Sequence, residues 1–342
     1  METGGSQILA VDLLNELCSG HDMSLIIVNN KYNDSLLKQL DKRVNIYHIG
    51  RTEGSKSPFP IIRLNWILSR IRPDVIHCHE PRVARIIRLK HPGLLYTVHD
   101  VGIPVPCYNL YDGLVAISAA VYHDVVSRSG YKISTVFNGV SFKSYRRRTS
   151  YVIPEGQPVR LVQVSRLFHE KKGQHILLHA IYKIVHYHGI RNITLDFIGS
   201  GASRDFLSGL IDSLKLREYV RLIGERDRDW LFAHLCEYHA LIQPSLYEGF
   251  GLTILEGFAA GLPVVASDID GPAEILSEMP GGLLFHSGDA DDCGKTILQL
   301  LTFYTSGDIE EKIHSTLPLA QKKYSIESCA NEYLTEYLKI SN

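Results

Sequence analysis

The sequence lacks the features that would place it in a membrane or in an oxidising compartment. No apolar run approaches the roughly 18 residues that span a bilayer, and no secretory signal peptide follows Met1. The six cysteines lie far apart with no Cys-x-x-Cys pair, which indicates buried free thiols rather than a disulfide framework or a zinc site. We therefore expect a cytoplasmic protein.

The net charge of −1 is close to zero, yet the charge is unevenly distributed along the 342 residues. Residues 1–150 carry +7, from 19 basic and 12 acidic residues, whereas residues 151–342 carry −8, from 17 and 25. The length suits two domains of ordinary size. The basic half would attract an acidic acceptor or the anionic inner face of a membrane, and solvated Lys and Arg are the alternative. We expect no nucleic-acid partner.

The most informative stretch runs from residue 240 to residue 267. It begins with an apolar strand at 240–243, continues through a glycine-containing turn and a helix at about 253–260, and ends in a second strand at 264–266. Such a turn lets the backbone approach a ligand and points the first free N–H groups of the helix at it. The pattern therefore favours an anion at this helix start.

Two carboxylates frame this predicted anion site. Glu248 lies in the turn, and Glu256 follows inside the helix. A carboxylate would repel a phosphate, but it accepts hydrogen bonds from sugar hydroxyls. Two of them beside a phosphate would suit a nucleotide sugar, one for the hexose and one for the ribose. The alternative is an ordinary helix with a favourable acidic residue near its start, which contributes a few tenths of a kcal/mol.

Residues 244–267 read Pro-Ser-Leu-Tyr-Glu-Gly-Phe-Gly-Leu-Thr-Ile-Leu-Glu-Gly-Phe-Ala-Ala-Gly-Leu-Pro-Val-Val-Ala-Ser. This segment resembles the signature of family 4 retaining glycosyltransferases, which have two facing Rossmann-like domains with a cleft between them, the GT-B architecture. The resemblance implies a hexosyltransferase that uses a UDP- or GDP-linked sugar and a sugar or lipid-linked acceptor, in surface polysaccharide or glycoconjugate biosynthesis. It implies that Glu248 is catalytic and holds the hexose. The implied donor-binding residues here are Phe250, Gly251, Leu252, Thr253 and Glu256.

Positive charge for the leaving diphosphate is expected at the first strand of the second domain. The resemblance assigns catalytic roles to Arg166 and Lys172, although Lys171 competes with Lys172 because one extra residue separates the basic positions. Fixed cations and helix N–H groups would stabilise the developing charge without a metal or another cofactor. The resemblance also brings the backbone at Gly199 and Gly201 close to the nucleoside, and a simple strand-to-helix turn is the alternative.

Strands alternate with helices along the rest of the chain, which predicts an α/β fold with parallel, doubly wound sheets. We predict an N-terminal domain at 1–144, a linker at 145–157, a nucleotide-sugar domain at 158–325, and a last helix at 326–342 that packs on the N-terminal domain. The chain begins with a turn at Gly4 and Gly5, which the resemblance places beside the donor, and with a helix. Because no strand precedes this helix, we expect a late start site or a destabilised N-terminal domain.

Three histidines follow predicted strands of the N-terminal half. His99 ends the strand Tyr-Thr-Val, where an imidazole could donate to a sugar hydroxyl or a departing phosphate, and the resemblance places a catalytic histidine here. A capping or core histidine is the alternative. His77 and His79 have the spacing of a metal pair, but no third ligand is evident.

Arg82, Arg85 and Arg88 recur every third residue in a predicted helix at 83–89. They could form an acceptor-facing or membrane-facing patch, and a solvated helix face is the alternative.

Two other functions share the expected fold. One is a nucleotide-sugar 2-epimerase, and the other is a nucleotide-sugar-binding protein without turnover. A dehydrogenase is disfavoured because no Gly-x-Gly-x-x-Gly follows the first visible strand.

Overall fold

The chain forms two separate folding units in the computed structural model, which describes residues 4–90, 92–105 and 107–341. Unit 1 contains the residues up to Val140 together with those from Tyr324 onward, and unit 2 runs from Ser141 to Lys323. Both units combine parallel strands with helices, which confirms the predicted α/β class. Each is a Rossmann-like domain.

Unit 1 contains two parallel ladders. β1 pairs with β2, and a second sheet has the order β3-β4-β5-β6, with no ladder joining the two among the described residues. The strands are β1 Ser24–Asn29, β2 Asn45–Arg51, β3 Val75–Cys78, β4 Gly93–Val98, β5 Gly113–Ala116 and β6 Ser134–Thr135. The helices are α1 Gly5–Leu17, α2 Asp34–Leu37, α3 Phe59–Ile71, α4 Ala119–Ser129 and, at the end of the chain, α13 Ile326–Ile340.

The core of unit 1 joins the first and last helices to the larger sheet. Leu9, Leu13 and Leu17 recur at helical spacing along α1 and are buried with Leu95 of β4 and Tyr333 of α13. The last helix also lies against the start of β4, because a Cβ added to Gly93 would lie 2.3 Å from the carbonyl oxygen of Ile340. The glycine therefore permits a close approach that any other residue would prevent.

The predicted helix at 83–89 is wrong in type and length. Only Val83–Ile86 is helical, and it forms a 3-10 turn. Asn65 of α3 ends it, because its Nδ2 donates to the carbonyl of Ile86 (2.8 Å) and its Oδ1 accepts from the N–H of Arg88 (2.6 Å).

Unit 2 contains one six-stranded parallel sheet with the order β12-β11-β10-β7-β8-β9. Its strands are β7 Val159–Val164, β8 Ile193–Ile198, β9 Val220–Gly224, β10 Ala240–Gln243, β11 Val264–Ser267 and β12 Gly282–Phe285. Its helices are α5 His169–Lys172, α6 Gln174–His186, α7 Arg204–Ser213, α8 Arg228–His234, α9 Leu252–Ala259, α10 Asp270–Leu276, α11 Ala290–Ser306 and α12 Asp308–Tyr324. From β7 the strands are added toward one edge of the sheet as far as β9, and from β10 they are added toward the other edge. In doubly wound sheets, ligands bind at this switch point between the two central strands, here β7 and β10.

The segment predicted as a linker at 145–157 is packed on unit 2. The N–H of Arg148 donates to Ala260 (2.9 Å), and the hydroxyl of the buried Tyr151 donates to the carbonyl of Gly261 (2.7 Å). These bonds hold the segment against unit 2, which begins at Ser141. Helix α10 begins at Asp270, shortly after β11 ends at Ser267.

All six cysteines are buried free thiols. In the described part of the chain, no helix combines the length and the apolar character that crossing a membrane requires.

Candidate active site

The switch point of unit 2 brings together the residues that the sequence placed 76 positions apart. Lys172 ends α5, and Glu248 lies in the loop after β10. The Nζ of Lys172 donates to Oε2 of Glu248, and the two side chains are only 19% and 18% exposed. This partly buried pair places one positive and one negative charge at the carboxyl ends of β7 and β10.

The two candidate lysines take different positions. Whereas Lys172 pairs with Glu248, the Nζ of Lys171 lies 4.4 Å from the ring centroid of Tyr247. The carbonyl of Lys171 accepts from the N–H of Leu246 at 2.9 Å. Lys171 therefore anchors the loop, and Lys172 supplies the cation beside the predicted sugar-binding carboxylate.

Gly173 lets the loop after β10 approach α5. Its φ is +65°, and a Cβ built on it would lie 1.7 Å from the carbonyl oxygen of Pro244. Any side chain here would push the loop, and with it Glu248, away from Lys172.

Two buried glutamines support the charged pair from the ends of the strands. Gln243 is 1% exposed, and its Nε2 donates to Ser245 Oγ (3.0 Å) and to Glu248 Oε2 (3.3 Å). Gln163, which is fully buried, donates to the carbonyl of Lys172 (2.9 Å). Sequence reasoning missed both, although a glutamine near the end of an apolar strand is an unusual buried polar group.

A third glutamine holds the backbone before the cation site. Gln174 begins α6 and donates to Ser165 Oγ at 3.0 Å and to the carbonyl of Arg166 at 2.9 Å. Arg166 itself is exposed at the end of β7. Among the described residues, the side-chain carbonyl oxygens of these three glutamines have no hydrogen-bond partner. The switch point is therefore lined by amide groups that are only partly satisfied.

The helix start predicted to bind an anion is formed by α9. Gly251 is its N-cap with φ +103°, and Leu252 and Thr253 are its first residues, whose N–H groups have no intrahelical partner. Phe250 is 3% exposed and packs against Gly271, where a Cβ would lie 2.3 Å from the Cα of Phe250. The backbone at Phe250 therefore packs closely against the start of α10, and the predicted contact of Phe250 with the donor stays a prediction.

The second carboxylate of the motif is less accessible than the first. Glu256 lies on the second turn of α9 and is 8% exposed. Its place on the same helix as the anion-binding N–H groups follows from the motif spacing, and its predicted contact with the ribose stays a prediction.

The glycine turn after β8 has a structural explanation within unit 2. A Cβ on Gly199 (φ +142°) would lie 1.9 Å from the carbonyl of Ser165, and one on Gly201 (φ +157°) would lie 2.4 Å from that of Leu167. Both glycines therefore let this turn pack against the loop that carries Arg166. Their predicted approach to a nucleoside stays a prediction.

The strand-end histidines belong to unit 1. His79 Nδ1 and His99 Nε2 are 2.8 Å apart, and His77 is hydrogen-bonded to Tyr337 (2.8 Å) and Thr97 (2.7 Å). Burial lowers the pKa of His79 to about 4 and, with the neighbouring His79, lowers the pKa of His99 well below its usual value. Burial therefore favours the neutral form of His99, and its predicted catalytic role stays a prediction.

The other unit 1 predictions are simpler. Gly4 is the N-cap of α1 and Gly5 its first residue, and their donor-binding role stays a prediction. In the described residues no group of three or more His, Cys, Asp or Glu side chains is arranged to hold a metal ion.

Comparisons with known proteins show the family of the chain. Residues 3–143 match the family model for Glycosyltransferase Family 4, and residues 158–302 match that for Glycosyl transferases group 1. Together the two matches cover most of both units. The chain belongs to the family 4 glycosyltransferases of the GT-B type.

Two curated relatives match over most of their length. An uncharacterized glycosyltransferase of Methanocaldococcus jannaschii is 26% identical over 79% of this chain and 76% of its own. The lipopolysaccharide core biosynthesis glycosyltransferase LpsE of Rhizobium meliloti is 25% identical over 80% and 78%. A match to the glycogen synthase of Mycobacterium tuberculosis spans only 54% of that protein.

Solved structures share the fold. A glycosyltransferase from Rickettsia africae superimposes with a TM-score of 0.82 at 21% identity, covering 99% of this chain and 96% of its own. Anabaena HepE, solved in complex with UDP and glucose, gives a TM-score of 0.77 at 19% identity over 99% and 96%.

Proposed function

We propose that this glycosyltransferase transfers a hexose from a nucleotide-diphosphate sugar to a sugar or lipid-linked acceptor, with retention at the anomeric carbon. The observation that carries the proposal is the Lys172–Glu248 pair at the switch point of unit 2, beside the start of α9. The structure of HepE with UDP and glucose supports a nucleotide-sugar donor. The name of LpsE supports a role in surface polysaccharide assembly.

In the proposed chemistry, residues of unit 2 stabilise the leaving group. The leaving nucleotide diphosphate gains negative charge in the transition state, and Arg166, Lys172 and the first N–H groups of α9 stabilise it. Fixed positive groups of this kind require no metal. Glu248 accepts hydrogen bonds from the hexose hydroxyls, and Glu256 holds the ribose. The departing phosphate oxygen takes the proton of the acceptor hydroxyl, so the new bond forms on the same face.

Glu248→Gln is the first test. The neutral amide keeps the shape but loses the charge that pairs with Lys172 and accepts two hydroxyl hydrogen bonds. Transfer should fall about a hundred- to a thousandfold, and Arg166→Ala should act similarly. The donor would first be chosen by thermal-shift screening with UDP-, GDP- and ADP-linked sugars, and the rate would be measured as acceptor-dependent release of nucleotide diphosphate.

Glu278→Gln is the matched control, because Glu278 pairs with Lys323 while 52% exposed and lies outside the proposed site. It should transfer at the normal rate, and all variants should unfold at unchanged temperatures. Near-normal transfer in both Glu248→Gln and Arg166→Ala would reject the assigned roles. A product with inverted anomeric configuration, detected by NMR, would reject retention alone.

A further inference from the structure

Helix α3 of unit 1 exposes a large apolar face. Phe59, Ile62 and Trp66 are 76%, 61% and 58% exposed. At 3.6 residues per turn they share one side of the helix. On the opposite side of the helix, Leu64, Ile67 and Leu68 are buried. Three large apolar side chains on one exposed helix face form a contiguous patch, and such patches mark interaction sites.

Arginines lie on both sides of this face. Arg63 and Arg70 project from the same exposed side of α3, and the guanidinium of Arg70 lies 5.3 Å from the ring centroid of Trp66. On the other side, Asn65 ties α3 to the 3-10 turn through its bonds to Ile86 and Arg88.

That turn adds three more cations. Arg82, Arg85 and Arg88 are all exposed. Arg85 lies in the turn, Arg82 directly precedes it, and Arg88 follows shortly after it. Within the described ranges, no carboxylate forms an ion pair with these three or with the two arginines of α3.

The surrounding segment holds most of the positive charge of the N-terminal half. Residues 51–90 contain nine basic and three acidic residues, a net +6, whereas residues 1–150 as a whole carry +7. The excess charge that the sequence showed is therefore concentrated in the segment that contains α3 and the 3-10 turn.

We propose that this face docks on a bilayer containing anionic lipids. The docking surface, called the α3 surface below, consists of Phe59, Ile62, Arg63, Trp66, Arg70, Arg82, Arg85 and Arg88. Apolar and aromatic side chains enter the boundary between headgroups and acyl chains, while arginines bind lipid phosphates. A second copy of the chain is a poorer occupant, because a two-fold contact would bring two net +6 segments together. The proposal does not depend on the donor site, which lies in unit 2.

The two tryptophans of the chain provide the test. In Trp230→Phe the remaining reporter is Trp66 on the α3 surface, and in Trp66→Phe it is Trp230 of unit 2. With vesicles of mixed phosphatidylglycerol and phosphatidylcholine, the emission of Trp66 should shift to the blue and be quenched by brominated lipids. The emission of Trp230 should not change. Pure phosphatidylcholine vesicles should leave both unchanged.

Vesicle co-sedimentation tests the contribution of each part of the surface. One variant combines Phe59→Ser, Ile62→Ser and Trp66→Ser, and another combines Arg82→Glu, Arg85→Glu and Arg88→Glu. Each variant should weaken binding at least about tenfold. Binding should also weaken as salt rises from about 0.1 M to about 1 M. The control is Val152→Ser with Tyr187→Ser, since these unit 2 side chains are equally exposed, at 75% and 74%, and this variant should bind normally.

Three results would overturn the proposal. Trp66 emission could stay unchanged on anionic vesicles, or the α3 variants could bind as well as the control while keeping the same unfolding temperature. Light scattering could also show a dimer that requires the α3 surface, together with no vesicle binding, and a second copy would then be the occupant.

Discussion

The two units present different chemistry at the same place in the fold. In unit 2 the carboxyl ends of the strands carry the Lys172–Glu248 pair, which is charged and held by buried glutamines. In unit 1 the corresponding strand ends carry His77, His79 and His99, which lie against one another and are kept neutral by burial. A shared topology thus fixes where polar groups gather, and the side chains decide whether that place holds charge.

The support behind each set of residues also differs. In unit 2 it comes from the strand ends and from a tight approach of two loops at Gly173. In unit 1 it comes from the last helix, because Tyr337 bonds to His77 and Tyr333 to Thr97 (2.9 Å). The Lys172–Glu248 site should therefore be disrupted by a change in the distance between the two loops that meet at Gly173. The histidine cluster of unit 1 should instead be destabilised when its side chains take up protons.

The largest effect is expected from Gly173→Ala. Its Cβ would overlap the carbonyl of Pro244, so the free energy of unfolding should fall by about 3 kcal/mol or more, and transfer should be nearly lost. Urea unfolding and the transfer rate would measure this.

Gly189→Ala is the matched control, because Gly189 has φ +68° but nothing within 4 Å of its added Cβ. It should cost only the left-handed backbone strain, about 1 kcal/mol. Equal costs for the two variants would show that the loop contact at Gly173 is unimportant.

A smaller effect should appear in unit 1 at low pH. The folded pKa of His79, about 4, lies below its ordinary value of 6.5, so the unfolded state binds more protons as the pH falls between these values. The histidine cluster's stabilisation is complete above about pH 6.5 and is lost below it, by on the order of 1 to 3 kcal/mol. Urea unfolding at about pH 7.5 and about pH 5 should show this loss, and His79→Asn should reduce it.

His286→Asn provides the comparison for that measurement. Its hydrogen bond to Asp292 raises the pKa of this exposed histidine, so any stabilisation is present at low pH and lost as the pH rises. The variant should keep the acid-induced loss. If His79→Asn also keeps the full loss, the histidine cluster is not its source.

The smallest effect is expected from Gln243→Leu. The variant removes the donor to Glu248 Oε2 and to Ser245 Oγ, so the carboxylate should be less well positioned and transfer should fall about tenfold. Donor affinity by calorimetry, together with kcat, would separate positioning from folding.

Thr97→Val removes a buried hydroxyl at the strand ends of unit 1 and should leave donor affinity unchanged. An unchanged transfer rate in Gln243→Leu would show that Glu248 does not need the hydrogen bond from Gln243 for transfer.

Much of the site could be predicted because its signals are local. The turn and helix at 244–259 follow from glycine placement and apolar spacing, and the position of Glu256 inside the helix follows from the same local pattern. The sequence analysis missed the glutamines because the position of a polar residue in a short strand does not show which group its side chain contacts. Only its neighbours show that Gln243 reaches Glu248.

The packing of the predicted linker on unit 2 was not foreseen for a related reason. Residues 145–157 show no periodicity, and nothing local indicates that Tyr151 would bond to Gly261 across 110 positions. The helical segment is shorter than the predicted 83–89 because Asn65, another distant residue, donates to the carbonyl of Ile86, the last helical residue.

The sequence by itself determined the alternation of strands and helices, the glycine turn before α9 and the presence of two carboxylates at a fixed spacing, because each depends on backbone periods and turn chemistry within a few residues. Only the tertiary structure decided which lysine pairs with Glu248, that the strand-end histidines of unit 1 are neutral, and that the arginines flank an exposed helix face. Those outcomes depend on strand order and burial, which bring together residues far apart in the chain.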